Sequence, residues 1–157
     1  MKKIIASWFA LLVLAGANAG TTPPGDGILG DWKTFGDNGK LDSHVEIYKQ
    51  QGKYFAKIVS LTEPCWPAND DQGMGGKPKN DRYNPQPELR GRPIVGMQFM
   101  DDFVYNGDKN IWEDGRIYDP GCGKIYRCKM KLTSSSRLEV RGYIGFSLLG
   151  RTDVWMR

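Results

Sequence analysis

"KIYRCKMKL", residues 124–132, carries the alternation that decides the fold of this 157-residue chain. Apolar or small side chains take every second position and basic side chains take the positions between them: Tyr126, Cys128, Met130 and Leu132 against Arg127, Lys129 and Lys131. Successive side chains of a β-strand point to opposite faces of the sheet, so this period of two predicts a strand with one buried face. Cys128 falls on that face, where a free cysteine behaves as a small buried side chain.

Similar short runs, separated by turn residues, extend in both directions from this strand. They predict about eight strands, at residues 28–35, 43–50, 53–61, 92–100, 111–119, 124–132, 134–146 and 151–157, with no clear alternation over 101–110. Eight antiparallel strands in series leave exposed sheet edges unless the sheet closes or stacks. The sequence therefore predicts an all-β fold, an up-and-down antiparallel barrel of about eight strands. A two-sheet β-sandwich is the alternative.

The first nineteen residues have the pattern of a secretory signal peptide. Two lysines precede an apolar stretch over residues 4–14, and residues 17–19 have the Ala-x-Ala pattern of a cleavage site. The stretch is too short to span a bilayer comfortably, and Ala17 stands where a lipoprotein would have cysteine. We therefore expect a signal peptide at residues 1–19 and a soluble periplasmic or secreted protein with a single domain over residues 20–157.

Charge and motif content disfavour nucleic acid, metal and enzymatic chemistry. The formal net charge is +4, and it falls to +2 when Lys2 and Lys3 leave with the signal peptide. The remaining basic residues are scattered rather than gathered into a patch. The chain has one histidine, His44, no paired-cysteine spacing, and none of the common nucleophile, zinc-protease or phosphate-loop motifs. We predict no nucleic-acid partner, no metal, no cofactor and no enzymatic activity; a hydrolase with an unrecognised site is an alternative.

Residues 62–92 interrupt the rhythm of strands and turns. This stretch is rich in proline and glycine, which exclude a central strand and a stable helix. A loop of this length in a compact domain is usually functional or disordered, and we interpret it as a lid or partner loop. Cys65 within it and Cys122 both lie in turn-like sequence. In an oxidising compartment they predict a disulfide, which leaves Cys128 as a buried thiol.

The two ends of the chain carry residues suited to closing a barrel. Gly30-Asp31-Trp32 begins the first strand, and Trp155 and Arg157 end the last. In a closed barrel these strands are neighbours, so the arginine can stack on the tryptophan and bond free carbonyls at the barrel base. A G-x-W on the first strand that meets an arginine on the last strand resembles the calycin superfamily, the lipocalins and their relatives. This resemblance implies a structural role for Gly30, Trp32 and Arg157, and we expect Trp155 to take part in the same closure of the barrel.

A closer resemblance covers nearly the whole chain after the signal peptide. It is carried by "GDWKT" (30–34), "VEIYKQQGKYFAKIV" (45–59), "NPQPELRGRPIVGMQF" (84–99), "GRIYDPGCGKIYRCKMKL" (115–132) and "LEVRGYIGFSLLGRTDVWMR" (138–157). These stretches are similar to an exported bacterial family catalogued as domain of unknown function 2147. The resemblance implies a small periplasmic or secreted β protein and no established activity.

Aromatic and apolar side chains on the strands are the candidates for a ligand cavity. Small-molecule sites have apolar walls with few polar groups, and seven residues fit that description: Tyr54, Phe55, Ile58, Phe99, Tyr126, Met130 and Tyr143. Three polar residues within the resemblance have a different expectation. We expect Asp119 to bond the backbone of its turn, and Arg141 and Arg151 to pair with carboxylates or free carbonyls rather than with an acidic ligand.

These observations favour non-catalytic binding of a small apolar or amphipathic ligand inside the barrel. The alternative is a cell-envelope interaction module with a filled core. It would use the 62–92 loop and the hairpin-tip residues Leu148 and Leu149 on a protein partner or a membrane surface. A continuous apolar cavity above about 300 Å³ would distinguish the first function from the second. No feature of the sequence indicates an oligomeric state.

Overall fold

A closed barrel of eight antiparallel strands forms the fold, as shown by a computed structural model that describes residues 22–157. The strands are β1 Gly30–Phe35, β2 Leu41–Gln50, β3 Lys53–Leu61, β4 Gln98–Asn106, β5 Ile111–Asp119, β6 Lys124–Ser134, β7 Arg137–Tyr143 and β8 Gly150–Met156. Each strand pairs with the next, and β8 returns to pair with β1 between Met156 and Lys33. The predicted up-and-down barrel is confirmed, and the sandwich alternative is wrong because the first and last strands join.

Helix is almost absent from the described part of the chain. It contains two 3₁₀ turns of three residues each, Asp26–Ile28 and Pro87–Leu89. No helix among residues 22–157 is long and apolar enough to cross a membrane. The predicted signal peptide at residues 1–19 lies outside the described residues, so its cleavage and the domain boundary at residue 20 stay predictions.

The fourth strand begins six residues later than the sequence predicts. Pro93 has no N–H for a β-ladder and Gly96 has a φ of 89°, so residues 92–97 form turns instead of a strand. β4 continues through the stretch without clear alternation. A bulge at Asp102, whose φ is 65°, resets which side chains point inward and places Phe103 in the core.

A second bulge on the neighbouring strand makes room for that phenylalanine. Asp114 on β5 has a φ of 64°, and the register between β5 and β6 shifts beside it. A Cβ atom placed on Gly115 would lie 2.4 Å from ring atoms of Phe103. Only glycine allows this close approach, so Gly115 and Phe103 are matched across the two bulged strands.

The segment 25–29, just before β1, plugs one end of the barrel, which we call the closed end. Ile28 in this plug is fully buried. Trp32 Nε1 donates a hydrogen bond to the Ile28 carbonyl at 2.8 Å, and Trp112 Nε1 donates to the Gly25 carbonyl at 3.1 Å. Two buried indoles thereby satisfy backbone carbonyls that would otherwise lose their hydrogen bonds on burial.

The last residue of the chain fixes the same plug. Arg157 Nη2 donates to the carbonyls of Gly27 and Leu29 at 3.1 and 2.7 Å, and its guanidinium lies 4.2 Å from the centroid of the Trp32 ring. The structure thus brings together the arginine and the tryptophan that the two chain ends provide. Gly30, with a φ of 100°, turns the backbone from the plug into β1.

Asp26 links the plug to the β2–β3 hairpin. Its Oδ1 accepts hydrogen bonds from Lys49 Nζ and from the Tyr54 hydroxyl, both at 2.7 Å. The bond from Lys49, followed by the bond from Tyr54, lowers the pKa of Asp26 below its ordinary value. The carboxylate therefore stays charged at neutral pH and holds the plug against the hairpin.

Candidate ligand-binding cavity

The opposite end of the barrel, which we call the open end, contains a cavity of about 1060 Å³. Its rim is formed by the β1–β2, β5–β6 and β7–β8 hairpins and by the long connection between β3 and β4, residues 62–97. The floor is apolar and buried, and it is made by Val45, Ile58, Phe99, Val140 and Trp155. The interior side chains therefore enclose a space that they do not fill.

The wall above this floor is largely aromatic. Phe35, Tyr118, Tyr126 and Tyr143 line it, each from a different strand or hairpin. The buried hydroxyl of Ser43 lies on the wall as well, 2.7 Å from the hydroxyl of Thr34, so these two groups satisfy each other. A ligand buried at this depth would meet apolar surface, which favours an apolar group over a strongly polar one.

Charged side chains lie around the rim and on the wall below it, where Asp153 of β8 is paired in register with Val140. Arg151 pairs with Asp37 from the β1–β2 hairpin and with Asp153 at 2.8 Å. The bond to Asp153, reinforced by the pairing with Asp37, raises the pKa of Arg151. Lys79 lies over the Trp66 ring, 5.8 Å from its centroid. The rim therefore offers both signs of charge and aromatic faces where the polar end of an amphipathic molecule would lie.

The connection 62–97, which contains the predicted lid or partner loop at residues 62–92, is held in place by contacts of its own. Arg82 contacts Asp70 at 2.6 Å, and both side chains are less than a tenth exposed. The Arg82 guanidinium also stacks over the Trp66 ring at 3.1 Å from its centroid. Bonding to Arg82 lowers the pKa of Asp70, so the ion pair persists well into the acid range. Two short backbone bridges complete the folded loop, Cys65 with Pro78 and Asn80 with Pro93.

A fully buried carboxylate attaches this connection to the barrel. Asp81 accepts hydrogen bonds from the Tyr118 hydroxyl at 2.5 Å, from Asn84 Nδ2 at 2.7 Å and from Arg92 Nε at 2.8 Å. Burial, together with the bond to Asp81, raises the pKa of Tyr118 to about 12, so its hydroxyl stays protonated and keeps donating. Because Tyr118 lies on β5 and lines the cavity, the network makes the connection a fixed part of the cavity wall.

A family model described as "Uncharacterized protein conserved in bacteria (DUF2147)" matches residues 30–157. The chain belongs to this family. Among solved structures it is similar to protein HP1028 from the human pathogen Helicobacter pylori, described as belonging to the lipocalin family. The two chains are 27% identical with a TM-score of 0.68, and the match covers 83% of this chain and 82% of that chain. No curated protein matches.

These comparisons bear directly on two predictions. The resemblance to the uncharacterised DUF2147 family is confirmed, and so is the lipocalin-like barrel. The description of the family names no activity, so the function of this DUF2147 member is argued from its cavity.

Four of the seven predicted cavity residues line the cavity. Ile58 and Phe99 contribute to the floor, whereas Tyr126 and Tyr143 stand on the wall. Phe99 also packs against Trp155, with ring centroids 6.1 Å apart. Trp155 was expected to help close the barrel at its base, but the structure places it on the cavity floor instead.

The other three predicted cavity residues lie elsewhere. Tyr54 bonds Asp26 in the plug, and its ring packs edge-on against Trp112 with centroids 6.2 Å apart. Met130 pairs with Trp112 across β5 and β6, in the filled core near the closed end. Phe55 points outward and stacks on Tyr48 at 5.7 Å, because its neighbours in β3 occupy the inward positions. None of the three lines the cavity.

The three polar motif residues have local partners in the structure. Asp119 Oδ1 accepts from the Gly121 N–H at 2.8 Å and shapes the β5–β6 turn. Arg141 bonds the Ser147 carbonyl at 2.7 Å, and Arg151 forms the ion pairs at the rim described above. Asp119 therefore bonds the backbone of its turn, Arg141 bonds carbonyls and Arg151 bonds carboxylates, which are the kinds of partner expected from the sequence.

The predicted disulfide is absent, and this corrects the interpretation of the cysteines. Cys65 and Cys122 are both free and exposed. Each is fixed by its own turn, because the Cys122 thiol donates to Asp119 Oδ2 at 3.2 Å whereas the backbone of Cys65 bridges Pro78. Cys128 is buried as predicted, and burial raises its pKa to about 12, which leaves an unreactive thiol at neutral pH.

Asp81 is the important cavity-supporting residue that sequence reasoning missed. Its partners Arg92 and Tyr118 lie 11 and 37 residues further along the chain. No local pattern therefore distinguishes Asp81 from a solvated loop carboxylate. Alternation in β8 does indicate that the Trp155 side chain points inward. Alternation does not show, however, at which end of a barrel an inward side chain lies.

Proposed function

We propose that this DUF2147 protein binds a small apolar or amphipathic ligand in the open-end cavity and does not act on it chemically. The observation that carries the proposal is the cavity itself, about 1060 Å³ with an apolar floor and an aromatic wall. Ligand cavities in proteins are typically about 300–1,000 Å³, so one small molecule fits. Eight-stranded barrels of the lipocalin type are known to hold one small ligand, and HP1028 is described as a lipocalin-family protein.

The distribution of polar groups supports an orientation for the ligand. Ser43 and Thr34 bond each other, which leaves the deep part of the cavity apolar. Lys79, Asp119 and the paired Arg151 lie at the rim. A ligand with an apolar body and one polar end would bury the body on the floor and keep the polar end near these groups and water.

Binding without catalysis is supported by three titratable side chains of the cavity that are held by protein partners. Asp119 is held by its turn, Arg151 by two carboxylates, and the Tyr118 hydroxyl by Asp81. General acid–base catalysis needs groups that can reach a common substrate atom with a proton to exchange. The engaged groups around this cavity favour recognition over proton transfer.

We place this function outside the cytoplasm, in the periplasm or the medium. The support is the signal-peptide pattern of residues 1–19 and the expected single domain over residues 20–157. Mass spectrometry of the protein expressed with its natural N-terminus checks it. The expected chain begins at Gly20, and a mass that retains residues 1–19 would contradict export by this route.

Titration with a neutral fluorescent apolar probe, N-phenyl-1-naphthylamine, tests the binding function. Gly142 faces the cavity, and a Cβ atom there would lie 3.7 Å from Ile117 and 3.8 Å from Tyr126, which are ordinary contacts. Gly142→Leu therefore places a bulky side chain in the cavity without a backbone clash, and we expect it to weaken probe binding about tenfold or more, equivalent to about 1.4 kcal/mol.

Gly142→Ala is the matched control for this experiment. It changes the backbone in the same way but adds one methyl group, so we expect its affinity to stay within about twofold of the wild type. Circular dichroism should show the same strand content for both variants. The binding proposal fails if the wild type does not saturate with the probe, or if Gly142→Leu binds it as well as the wild type.

A further inference from the structure

The exposed apolar side chains of the described residues gather at one end of the barrel. We call the group at the open end the apolar collar: the β7–β8 hairpin tip, residues 144–149, with Val59, Tyr83, Val95 and Ile125. These residues come from two strand-connecting segments, 144–149 and 62–97, and from the strands β3 and β6, so they lie on several sides of the cavity mouth. The closed end contributes only Val104 to the large exposed apolar residues of the described chain.

The hairpin tip is the most exposed part of this collar. Phe146 is 80% exposed and Leu148 is 88% exposed, values far above those of ordinary surface leucines and phenylalanines. Large exposed apolar patches mark interaction surfaces rather than neutral surface. The tip therefore requires a partner that covers it.

The backbone of the tip is held in place, so its exposure is not the result of a loose turn. Arg141 Nε donates to the Ser147 carbonyl at 2.7 Å, and its Nη2 donates to the Leu148 carbonyl at 3.2 Å. Its Nη1 donates to Thr152 Oγ1 on β8 at 2.8 Å. One arginine thus fixes the hairpin and presents its apolar side chains away from the barrel.

The collar is continuous with the ligand cavity. Ile144 and Leu149 are both more than two-thirds exposed, and both also line the cavity. An apolar surface therefore runs from the tip, past these two side chains, to the floor at Phe99 and Trp155. A molecule moving along this surface would stay against apolar side chains throughout.

The arrangement fits a lipid surface better than a second protein. A protein partner needs one continuous complementary patch, whereas separate apolar side chains around a mouth can each sink into a fluid interface. The open end also carries both signs of charge, with Arg151 paired to Asp37, so headgroup charge is not required. Tyr83 and Trp66 at the rim are of the residue type that concentrates at membrane–water interfaces.

We propose that the open end lies on a lipid bilayer, with the 144–149 tip inserted among the headgroups, and that the ligand enters the cavity directly from the bilayer. Docking on the bilayer is argued from the apolar collar alone, whereas ligand entry from the bilayer rests on the proposed ligand-binding function. The bilayer thereby supplies the apolar or amphipathic molecule that the cavity takes.

Co-sedimentation with vesicles tests docking on the bilayer. One vesicle preparation contains phosphatidylcholine alone, and the other contains phosphatidylethanolamine and phosphatidylglycerol at about three to one. Both are used at physiological salt, because salt screens weak attraction between surface charges. The wild type should bind both. The double variant Phe146→Ser/Leu148→Ser should lose about nine-tenths or more of its bound fraction, because the inserted side chains provide the apolar contact. Val104→Ser, an exposed apolar residue at the closed end, should bind like the wild type.

Each alternative outcome has a defined meaning. Equal binding by the double variant and the wild type overturns the proposal, as does binding that occurs only with phosphatidylglycerol and disappears with salt. Loss of a wild-type dimer in the double variant, without vesicle binding, assigns the collar to a second copy of the chain and also overturns it. Unchanged melting temperatures show that the double variant is folded, as expected for solvent-exposed positions.

The two variants separate this proposal from the ligand-binding function. The double variant should still bind N-phenyl-1-naphthylamine from water, whereas Gly142→Leu should still bind vesicles. Transfer of a fluorescent fatty acid from vesicles should be slowed by either change, because one removes docking and the other fills the cavity. Probe binding without vesicle binding by the wild type rejects the bilayer alone, and vesicle binding without probe binding rejects the cavity function alone.

Discussion

The two ends of the barrel use similar side chains for opposite purposes. At the closed end, Trp32, Trp112 and Arg157 donate hydrogen bonds to the carbonyls of the plug, and the core is filled. At the open end, Trp155 and Phe99 border an empty space, and the hairpin tip exposes leucine and phenylalanine to solvent. Stability and recognition are therefore separated along the barrel axis, as expected when a rigid scaffold carries its function on loops at one end.

Truncating one tryptophan at each end should change the free energy of unfolding more than the other substitutions do. Trp112 and Trp155 are both almost fully buried. Trp112→Ala removes ring packing and a donor to the plug, and we expect it to lower the free energy of unfolding by about 3–5 kcal/mol. Trp155→Ala enlarges a cavity that already exists, so we expect a loss of about 1–3 kcal/mol with weaker probe binding. Urea unfolding monitored by circular dichroism measures both.

Two results for the tryptophan variants would contradict this separation of stability and recognition. Equal losses of stability would mean that the open end contributes to the core as much as the closed end does. Weaker probe binding in Trp112→Ala than in Trp155→Ala would place the binding site at the closed end of the barrel. Either result would require a different division between scaffold and site.

The terminal arginine provides a smaller but more specific test of the closed end. Arg157→Ala removes the stacking on Trp32 and both bonds to the plug, and we expect a loss of about 1–3 kcal/mol. Arg137→Ala is the control, because this exposed arginine lies 3.7 Å from Glu139 in a surface ion pair, and we expect a change below about 0.5 kcal/mol. An unchanged melting temperature for Arg157→Ala would show that the chain ends do not close the barrel in the way we describe.

Much of the fold could be predicted from the sequence because it depends on local patterns. Alternation in β6 and turn signals between strands defined most strand positions, and the residues at the two chain ends indicated closure. β4 was the exception. Its inward positions are set by the bulge at Asp102, which accommodates Phe103 against Gly115 of the next strand. Such a bulge depends on how the side chains of two strands pack against each other, so alternation within one strand cannot show it.

The cavity was only partly predictable for a related reason. The aromatic or apolar character of Ile58, Phe99 and Tyr126 indicated the cavity correctly, but it gave no depth along the barrel. Met130 was therefore placed in the cavity although it lies in the filled half. Phe55 is different, because the alternation of β3 already pointed it outward. The order of the 62–97 connection depends on Asp81 and Tyr118, whose contact spans 37 residues and leaves no local trace.

The smallest expected effect concerns the cysteines at the open end. A disulfide between Cys65 and Cys122 would typically contribute about 2–4 kcal/mol, equivalent to several degrees of melting temperature, whereas an exposed free thiol contributes almost nothing. We therefore expect Cys122→Ser to change the melting temperature by less than about 1 °C, with or without reductant. Thiol titration should find two reactive groups in the folded protein and a third, Cys128, after unfolding. A large loss of stability in Cys122→Ser, with no reactive thiol in the folded wild type and one after unfolding, would mean that a covalent bond joins the long connection to the β5–β6 hairpin. The open end would then be fixed as firmly as the closed end.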